Sequence, residues 1–229
     1  QLLSRVEDEN TGLIKLDGFS VDIPQERLTQ AKETLSVLGD EFIDAFPWVL
    51  NSSPVLKDPV ELLLNNTWRS MLSVTGADGL PKIEDSGNVL RPYTALKLSL
   101  RLPPTLKGEK AQLLLENLLL SNPPYGANVS LEFEEPASGW NAPPLQPWLE
   151  NAVQKASKNV YEKNALYMGE GGTIPFMAML GKAFPEAQFV ITGVLGPQSN
   201  AHGPNEFIHI PYAEKLTASV TSIISEFPK

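Results

Sequence analysis

The segment Gly169-Glu170-Gly171-Gly172-Thr173-Ile174-Pro175 follows the short apolar run Ala165-Leu166-Tyr167-Met168. Such a run reads as a buried strand, the glycines permit a tight turn with positive φ, and Pro175 suits the first turn of a following helix. A glycine turn that opens a helix offers free N–H donors backed by the positive end of the helix dipole. It therefore favours an anionic or carbonyl oxygen, and Thr173 adds a hydroxyl. A second segment, Asn200-Ala201-His202-Gly203-Pro204-Asn205-Glu206, sets a histidine in a glycine-proline loop after the apolar run Gln188 to Val194. His202 is a candidate metal ligand, because a neutral imidazole binds zinc through one nitrogen while the other is held by a nearby acceptor. The plain alternative is a surface-loop histidine. His209 lies outside both motifs and reads as structural.

Two further residues are candidates. Arg101 stands on the polar face of a strand backed by Leu96, Leu98, Leu100 and Leu102, where a guanidinium can grip a carboxylate with two parallel hydrogen bonds. Solvated strand arginines are the common alternative. Asn88, in Gly87-Asn88-Val89-Leu90, has a turn residue as its plain reading. Other chemistry is disfavoured. The glycine turn lacks the lysine of a P-loop, and Ile174 stands where a dinucleotide fingerprint needs glycine. Glu134-Glu135 reads as a solvated strand end rather than a catalytic carboxylate pair.

The elements that must position these residues fall into two patterns. Residues 1–6 read as the last turns of a helix, and Leu13, Ile14 and Leu16 as a short strand. Residues 24–50 read as helical, with Leu28, Ala31, Leu35 and Leu38 at helical spacing and Asp40 to Leu50 as a second segment. Alternation from Thr67 puts Trp68, Leu72 and Val74 on one face, and Gly76-Ala77-Asp78-Gly79 turns the chain. Val89 to Leu102 is a strand, Pro103-Pro104-Thr105 opens a helix carrying Ala111, Leu114, Leu115, Leu118 and Leu119, and Asn128 to Glu134 alternates again. This half is expected to be α+β, an antiparallel sheet with a helical layer on one face. The proline-rich stretch Pro136 to Pro147 marks the domain boundary. Beyond it, continuously apolar Phe189-Val190-Ile191 predicts a strand covered on both faces by helices at Pro147–Val160, Ile174–Ala183 and Pro211–Phe227. That half is expected to be α/β.

The 229 residues are 42% hydrophobic and 20% charged, in the range of a globular chain with a sizeable core. Eighteen basic against 27 acidic residues give a net charge of −9, so the summed field disfavours nucleic acid and acidic membrane as partners. With no cysteine, a disulfide framework or thiolate zinc site is excluded, and any metal must use His, Asp or Glu. No apolar run is long enough to span a bilayer. Gln1-Leu2-Leu3-Ser4-Arg5 reads as the interior of a helix, and the expectation is a fragment of a longer, cytoplasmic protein.

The pairing of Glu-Gly-Gly-Thr-Ile-Pro at 170–175 with Ala-His-Gly-Pro-Asn-Glu at 201–206 resembles the dinuclear zinc exopeptidases of the carnosinase, carboxypeptidase G and aminoacylase group. Within that group it is most similar to the cytosolic non-specific dipeptidases. The resemblance implies a ferredoxin-like lid and dimerisation domain, N-terminally incomplete, over residues 1–137, and the C-terminal part of an α/β zinc-peptidase catalytic domain over 138–229. It implies peptide-bond hydrolysis of dipeptides or short peptides with a free C-terminal carboxylate. Two zinc ions, or other divalent metals, serve the full-length enzyme, and at most one ligand, His202, is present here. Ser99-Leu100-Arg101-Leu102-Pro103 resembles the segment whose arginine holds the substrate carboxylate, with Gly172 and Thr173 binding around it. Asn88 takes the position that polarises the scissile carbonyl, often from the neighbouring subunit of a homodimer; Leu90-Arg91-Pro92 departs from the family's usual Ile-Pro-Arg continuation. By the resemblance such a centre needs a His-x-Asp pair, a bridging aspartate and consecutive glutamates in the zinc core, all expected in an N-terminal half outside this chain, so the chain alone is expected to be inactive. The alternatives are an N-acyl or N-carbamoyl amino acid amidohydrolase of the same family, and a non-catalytic dimerisation or binding homologue.

Overall fold

A computed structural model describes residues 1–170, 175–196 and 198–228. The helices are α1 (Leu3–Val6), α2 (Gln25–Leu38), α3 (Glu41–Asp44), α4 (Pro59–Thr67), α5 (Gly108–Leu120), α6 (Pro147–Tyr161), α7 (Pro175–Ala183) and α8 (Ile210–Ser225), and the strands are β1 (Met71–Asp78) and β2 (Ala95–Arg101). The result is a mixed chain with a small antiparallel sheet, as expected of an α/β protein of the α+β kind. It divides into two compact units. The first comprises Gln1–Pro24, Val55–Trp140 and Gly169–Ala178, and the second Gln25–Pro54, Asn141–Met168 and Met179–Lys229. Residues 25–54, read from the sequence as part of the first 137, thus belong to the second unit.

In the first unit β1 and β2 pair antiparallel, from Met71↔Arg101 to Asp78↔Ala95, with a bulge between Val74 and Gly76. One face of β2 turns Leu100 inward, and Leu72, Leu100, Leu102 and Leu131 pack on a buried cluster of Val6, Phe19, Leu106, Ala111, Leu115 and Leu119. The buried positions of α5, Gly108, Ala111, Leu115 and Leu119, recur at three- and four-residue spacing, which lays one stripe of the helix on the sheet. Arg5 donates to the carbonyls of Ser121 and Asn122, both at 2.7 Å, and satisfies the acceptors left at the end of α5. Asp58 caps α4 by accepting from the Val60 N–H at 2.9 Å, with Pro59 at the first helical position.

Several boundaries differ from the pattern in the sequence. β2 starts at Ala95 rather than Val89, because Pro92 lacks an N–H and the ladder closes where Asp78 meets Ala95. Gly76, Ala77 and Asp78 lie in β1, and the turn begins only at Gly79, whose φ is +76° and where a Cβ would lie 2.5 Å from the Tyr93 carbonyl oxygen. Trp68 closes α4 instead of opening the strand. Leu13, Ile14 and Leu16 contribute only the isolated bridge Glu7↔Ile14. The helix expected at Pro103 begins at Gly108, where a Cβ would sit 2.9 Å from the Ala137 carbonyl oxygen. Among the described residues 128–134 form no ladder: alternation directs Leu131 to the core, but it does not supply a paired neighbour for the backbone.

The second unit is built on α6, whose buried residues Leu149, Ala152, Val153 and Ala156 form one stripe. It runs antiparallel to α8: Trp148 and Phe227 meet edge-to-face at 5.3 Å at one end, and Tyr161 and Tyr212 at 5.8 Å at the other. α6 ends on Glu162 in the left-handed conformation, φ 61°, a common helix stop. α2 buries Ala31, Thr34 and Leu35, while the second helical segment shrinks to the four residues of α3. The strands expected at 165–168 and 188–194 have no ladder partner among the described residues, and Val190 and Ile191 are 43% and 53% exposed. An all-apolar run specifies a strand with cover on both faces, and the described residues supply no strand beside it.

Candidate functional site

Arg101 ends β2, opposite Met71 in the ladder, and is exposed while Leu100 and Leu102 on either side of it pack on the core. Its guanidinium therefore belongs to the sheet face turned away from the hydrophobic cluster, and strand alternation alone places it there. Asn88 lies before the other end of β2, in an exposed connection where the Val89 N–H donates to the Gly87 carbonyl at 2.9 Å and makes Asn88 the centre of a three-residue turn. The whole of β2, from Ala95 to Arg101, and the connection before it stand between the two positions in the chain. Within the first unit, then, Arg101 ends the ladder, and Asn88 lies outside it in the connection that precedes β2.

Gly172 and Thr173 lie outside the described residues. Gly169, just before them, is held against the last turn of α4: a Cβ there would lie 3.0 Å from the Thr67 Cβ and 3.2 Å from its Cγ2. The preceding backbone is fixed inside the second unit by side chains instead of by a ladder. Gln154 accepts from the Ala165 N–H at 3.0 Å and donates to its carbonyl at 3.1 Å, and the Thr34 hydroxyl donates to the Tyr167 carbonyl at 2.9 Å. The Tyr167 hydroxyl donates to Glu150 at 2.7 Å, and Gln154 donates to the other Glu150 oxygen at 3.0 Å. Burial, seconded by the Glu150 carboxylate, pushes the Tyr167 hydroxyl well above its ordinary pKa, so it stays a neutral donor. Thr34, Glu150 and Gln154 escape a motif-based reading; the only trace is the four-residue spacing of Glu150 and Gln154 on α6.

His202 lies in the second unit, exposed, on a loop closed by its own hydrogen bonds. Buried Ser199 donates to the Gly196 carbonyl at 2.7 Å and accepts from the Phe207 N–H at 3.2 Å through its own carbonyl, and the Gly203 N–H donates to the Asn200 carbonyl at 2.9 Å. Gln198, Asn200, His202 and Asn205 have φ of 62°, 55°, 61° and 59°. Each left-handed residue that bears a Cβ costs on the order of 1 kcal/mol, least for asparagine, so the surrounding bonds must hold this backbone. His209, by contrast, serves a helix end: its Nδ1 accepts from the Tyr212 N–H at 3.1 Å and caps α8.

These residues do not by themselves fit a metal centre. Among the described residues no group of three or more His, Cys, Asp and Glu is placed to hold an ion. Glu206, four residues along the loop, accepts from the His202 backbone N–H at 3.2 Å. Nor is any described helix long and apolar enough to cross a membrane.

The fold finds counterparts in known proteins. The chain is 28% identical over 153 residues to a cysteinylglycine-S-conjugate dipeptidase of Corynebacterium striatum, matching 64% of this chain and 33% of that protein. Its fold matches the di-peptidase Dug1p of Saccharomyces cerevisiae with a TM-score of 0.75 and 20% identity, over 100% of this chain and 48% of that one. The M20 family metallo-carboxypeptidase Sso-CP2 of Sulfolobus solfataricus matches with a TM-score of 0.73 and 19% identity, over 97% of this chain and 50% of that one. Human carnosine dipeptidase 1 matches with 0.72 and 19%, over 98% and 47%. No family model matches the chain. The relative and the fold neighbours are thus dipeptidases and a metallo-carboxypeptidase of the group that the two motifs resemble. The chain spans a third of the curated relative and about half of each of these structures.

Proposed function

We propose that the full-length protein is a zinc-dependent peptidase that hydrolyses dipeptides or short peptides bearing a free C-terminal carboxylate. The observation that carries this reading is the 28% identity, over 64% of the chain, to a cysteinylglycine-S-conjugate dipeptidase. In this reading residues 1–137 belong to the lid and 138–229 to the catalytic domain, and the whole enzyme is a cytoplasmic homodimer with two zinc ions.

Each site residue takes a role suited to its chemistry. Arg101, fixed at the strand end and turned from the core, forks onto the substrate carboxylate with two N–H donors. Gly172 and Thr173 supply backbone and hydroxyl donors around it. Asn88 donates its side-chain N–H to the scissile carbonyl oxygen and lowers the energy of the developing negative charge. As the resemblance implies, each subunit of a homodimer lends its Asn88 to its partner's site. His202 donates one nitrogen to a metal held mainly by residues outside this chain.

The test is hydrolysis of a panel of unblocked dipeptides by the full-length protein, before and after chelation and with zinc restored. Zinc-restored hydrolysis is the expected result. No hydrolysis of any dipeptide, or hydrolysis confined to N-acyl amino acids, would overturn it.

A further inference from the structure

We propose that Glu206 and Asn200 are positioning residues that lock the backbone of His202, an inference that rests on reading His202 as a site residue. The loop carries left-handed φ at Gln198, Asn200, His202 and Asn205, and a residue with a Cβ does not hold that conformation unaided. Two backbone bonds, Gly203 N–H to Asn200 carbonyl and Phe207 N–H to Ser199 carbonyl, close the loop without touching His202. Three side chains add restraints, the first being the Ser199 hydroxyl, which donates to the Gly196 carbonyl at 2.7 Å. Asn200 donates across the loop to the Pro204 carbonyl at 2.6 Å. So little space is left that a Cβ on Gly203 would lie 2.5 Å from the Asn200 Nδ2. Glu206 accepts from the His202 N–H at 3.2 Å.

Rotation of His202 into the ordinary right-handed or extended region would swing that N–H away from Glu206, so the carboxylate selects the left-handed state. The direction in which the imidazole leaves the backbone is fixed by the same selection, since Cβ direction follows φ and ψ. Among the described residues the imidazole has no hydrogen-bond partner, so its placement comes from the backbone and not from a contact of the ring itself. A preformed ligand avoids the ordering cost that a mobile loop would add at the moment of binding. Glu206 is a positioning residue in this account, acting on His202 through its N–H.

The experiment uses the full-length protein and reads amide hydrogen exchange at His202, thermal unfolding and dipeptide hydrolysis in Glu206→Ala, Glu206→Gln, Asn200→Ala and His202→Ala. Loss of the Glu206 acceptor is expected to speed exchange at His202 by about tenfold, the size of one charge-assisted hydrogen bond. Glu206→Gln keeps an acceptor oxygen and should restore most of the protection, with Tm unchanged in both and kcat lowered more than KM in Glu206→Ala. Exchange at His202 that is unchanged in Glu206→Ala overturns the lock. Fast exchange with full hydrolysis in Glu206→Ala, while His202→Ala is inactive, overturns the positioning role. Full activity of His202→Ala defeats the reading of His202 itself, and the exchange rates still decide whether Glu206 holds the loop.

Discussion

Arg101 is a residue whose replacement should separate recognition from stability. It is exposed, and its neighbours Leu100 and Leu102 bear the packing, so Arg101→Ala should leave the fold intact. Truncating one partner of a desolvated, charge-assisted contact costs on the order of 2–5 kcal/mol. In the full-length enzyme kcat/KM on free dipeptides should therefore fall by roughly 30-fold to several thousand-fold, at about 1.4 kcal/mol per factor of ten. C-terminally amidated substrates should lose little, because they carry no carboxylate; equal losses on both, at unchanged Tm, would exclude the clamp. Gly169 gives the opposite case. A methyl group there would press on Thr67 at 3.0 Å, so Gly169→Ala should destabilise by about 1–3 kcal/mol, the range of overpacked sites. Denaturant unfolding measures that loss, and a change below a few tenths of a kcal/mol would show that α4 yields without cost.

Among elements, the segment 165–167 depends on α6 and α2 for the hydrogen bonds that a neighbouring strand would otherwise give. Gln154→Ala removes both partners of Ala165 at once and should cost about 1–3 kcal/mol, measured by urea unfolding, whereas Gln154→Glu keeps the acceptor for the Ala165 N–H and should cost less. Burial of Tyr167, seconded by its bond to Glu150, adds a pH dependence. Tyr167's pKa is raised in the folded state from the ordinary 10.0, so above about pH 10 the unfolded chain releases a proton that the folded chain retains. The stability tied to Tyr167 is complete below that pH and is lost as pH rises towards the higher folded value. Thermal unfolding followed between about pH 9 and pH 11 should show a decline that is shallower in Tyr167→Phe; parallel curves would mean that the hydroxyl titrates normally.

For the chain as a whole, the net charge of −9 disfavours phosphate-bearing partners, and among the described residues no group of three or more His, Cys, Asp and Glu is placed to hold an ion. A single histidine leaves most of the coordination shell to water, so this chain alone should show no dipeptide hydrolysis and only weak zinc binding. Calorimetry yielding tight, stoichiometric uptake by the chain itself would contradict this. The assignment of Asn88 to the partner's site requires association, and sedimentation of the full-length protein should return a dimer at micromolar concentration; a strict monomer with full activity would refute the shared site.

What the sequence determined by itself is local. Helical spacing marked α2, α5, α6 and α8, because a stripe at three- and four-residue intervals is complete within one segment. The alternation of Leu98, Leu100 and Leu102 marked the buried face of β2 and thereby set Arg101 outward, since strand parity needs no distant information. The glycine and proline around His202 marked a loop, but not the left-handed backbone of Gln198, Asn200, His202 and Asn205. Tertiary structure decided everything that needs a second segment: that Gly79 and Asp78, not Val89, set where β2 begins, and that 128–134 places Leu131 in the core without joining the ladder. It also decided that 165–167 is held by Gln154 and Thr34 rather than by a strand, and that Glu206 turns its carboxylate to the backbone of His202. Those outcomes depend on which groups meet, from four residues apart at Glu206 and His202 to 133 apart at Thr34 and Tyr167, and periodicity, which reports only the environment of one segment at a time, carries no record of the partner.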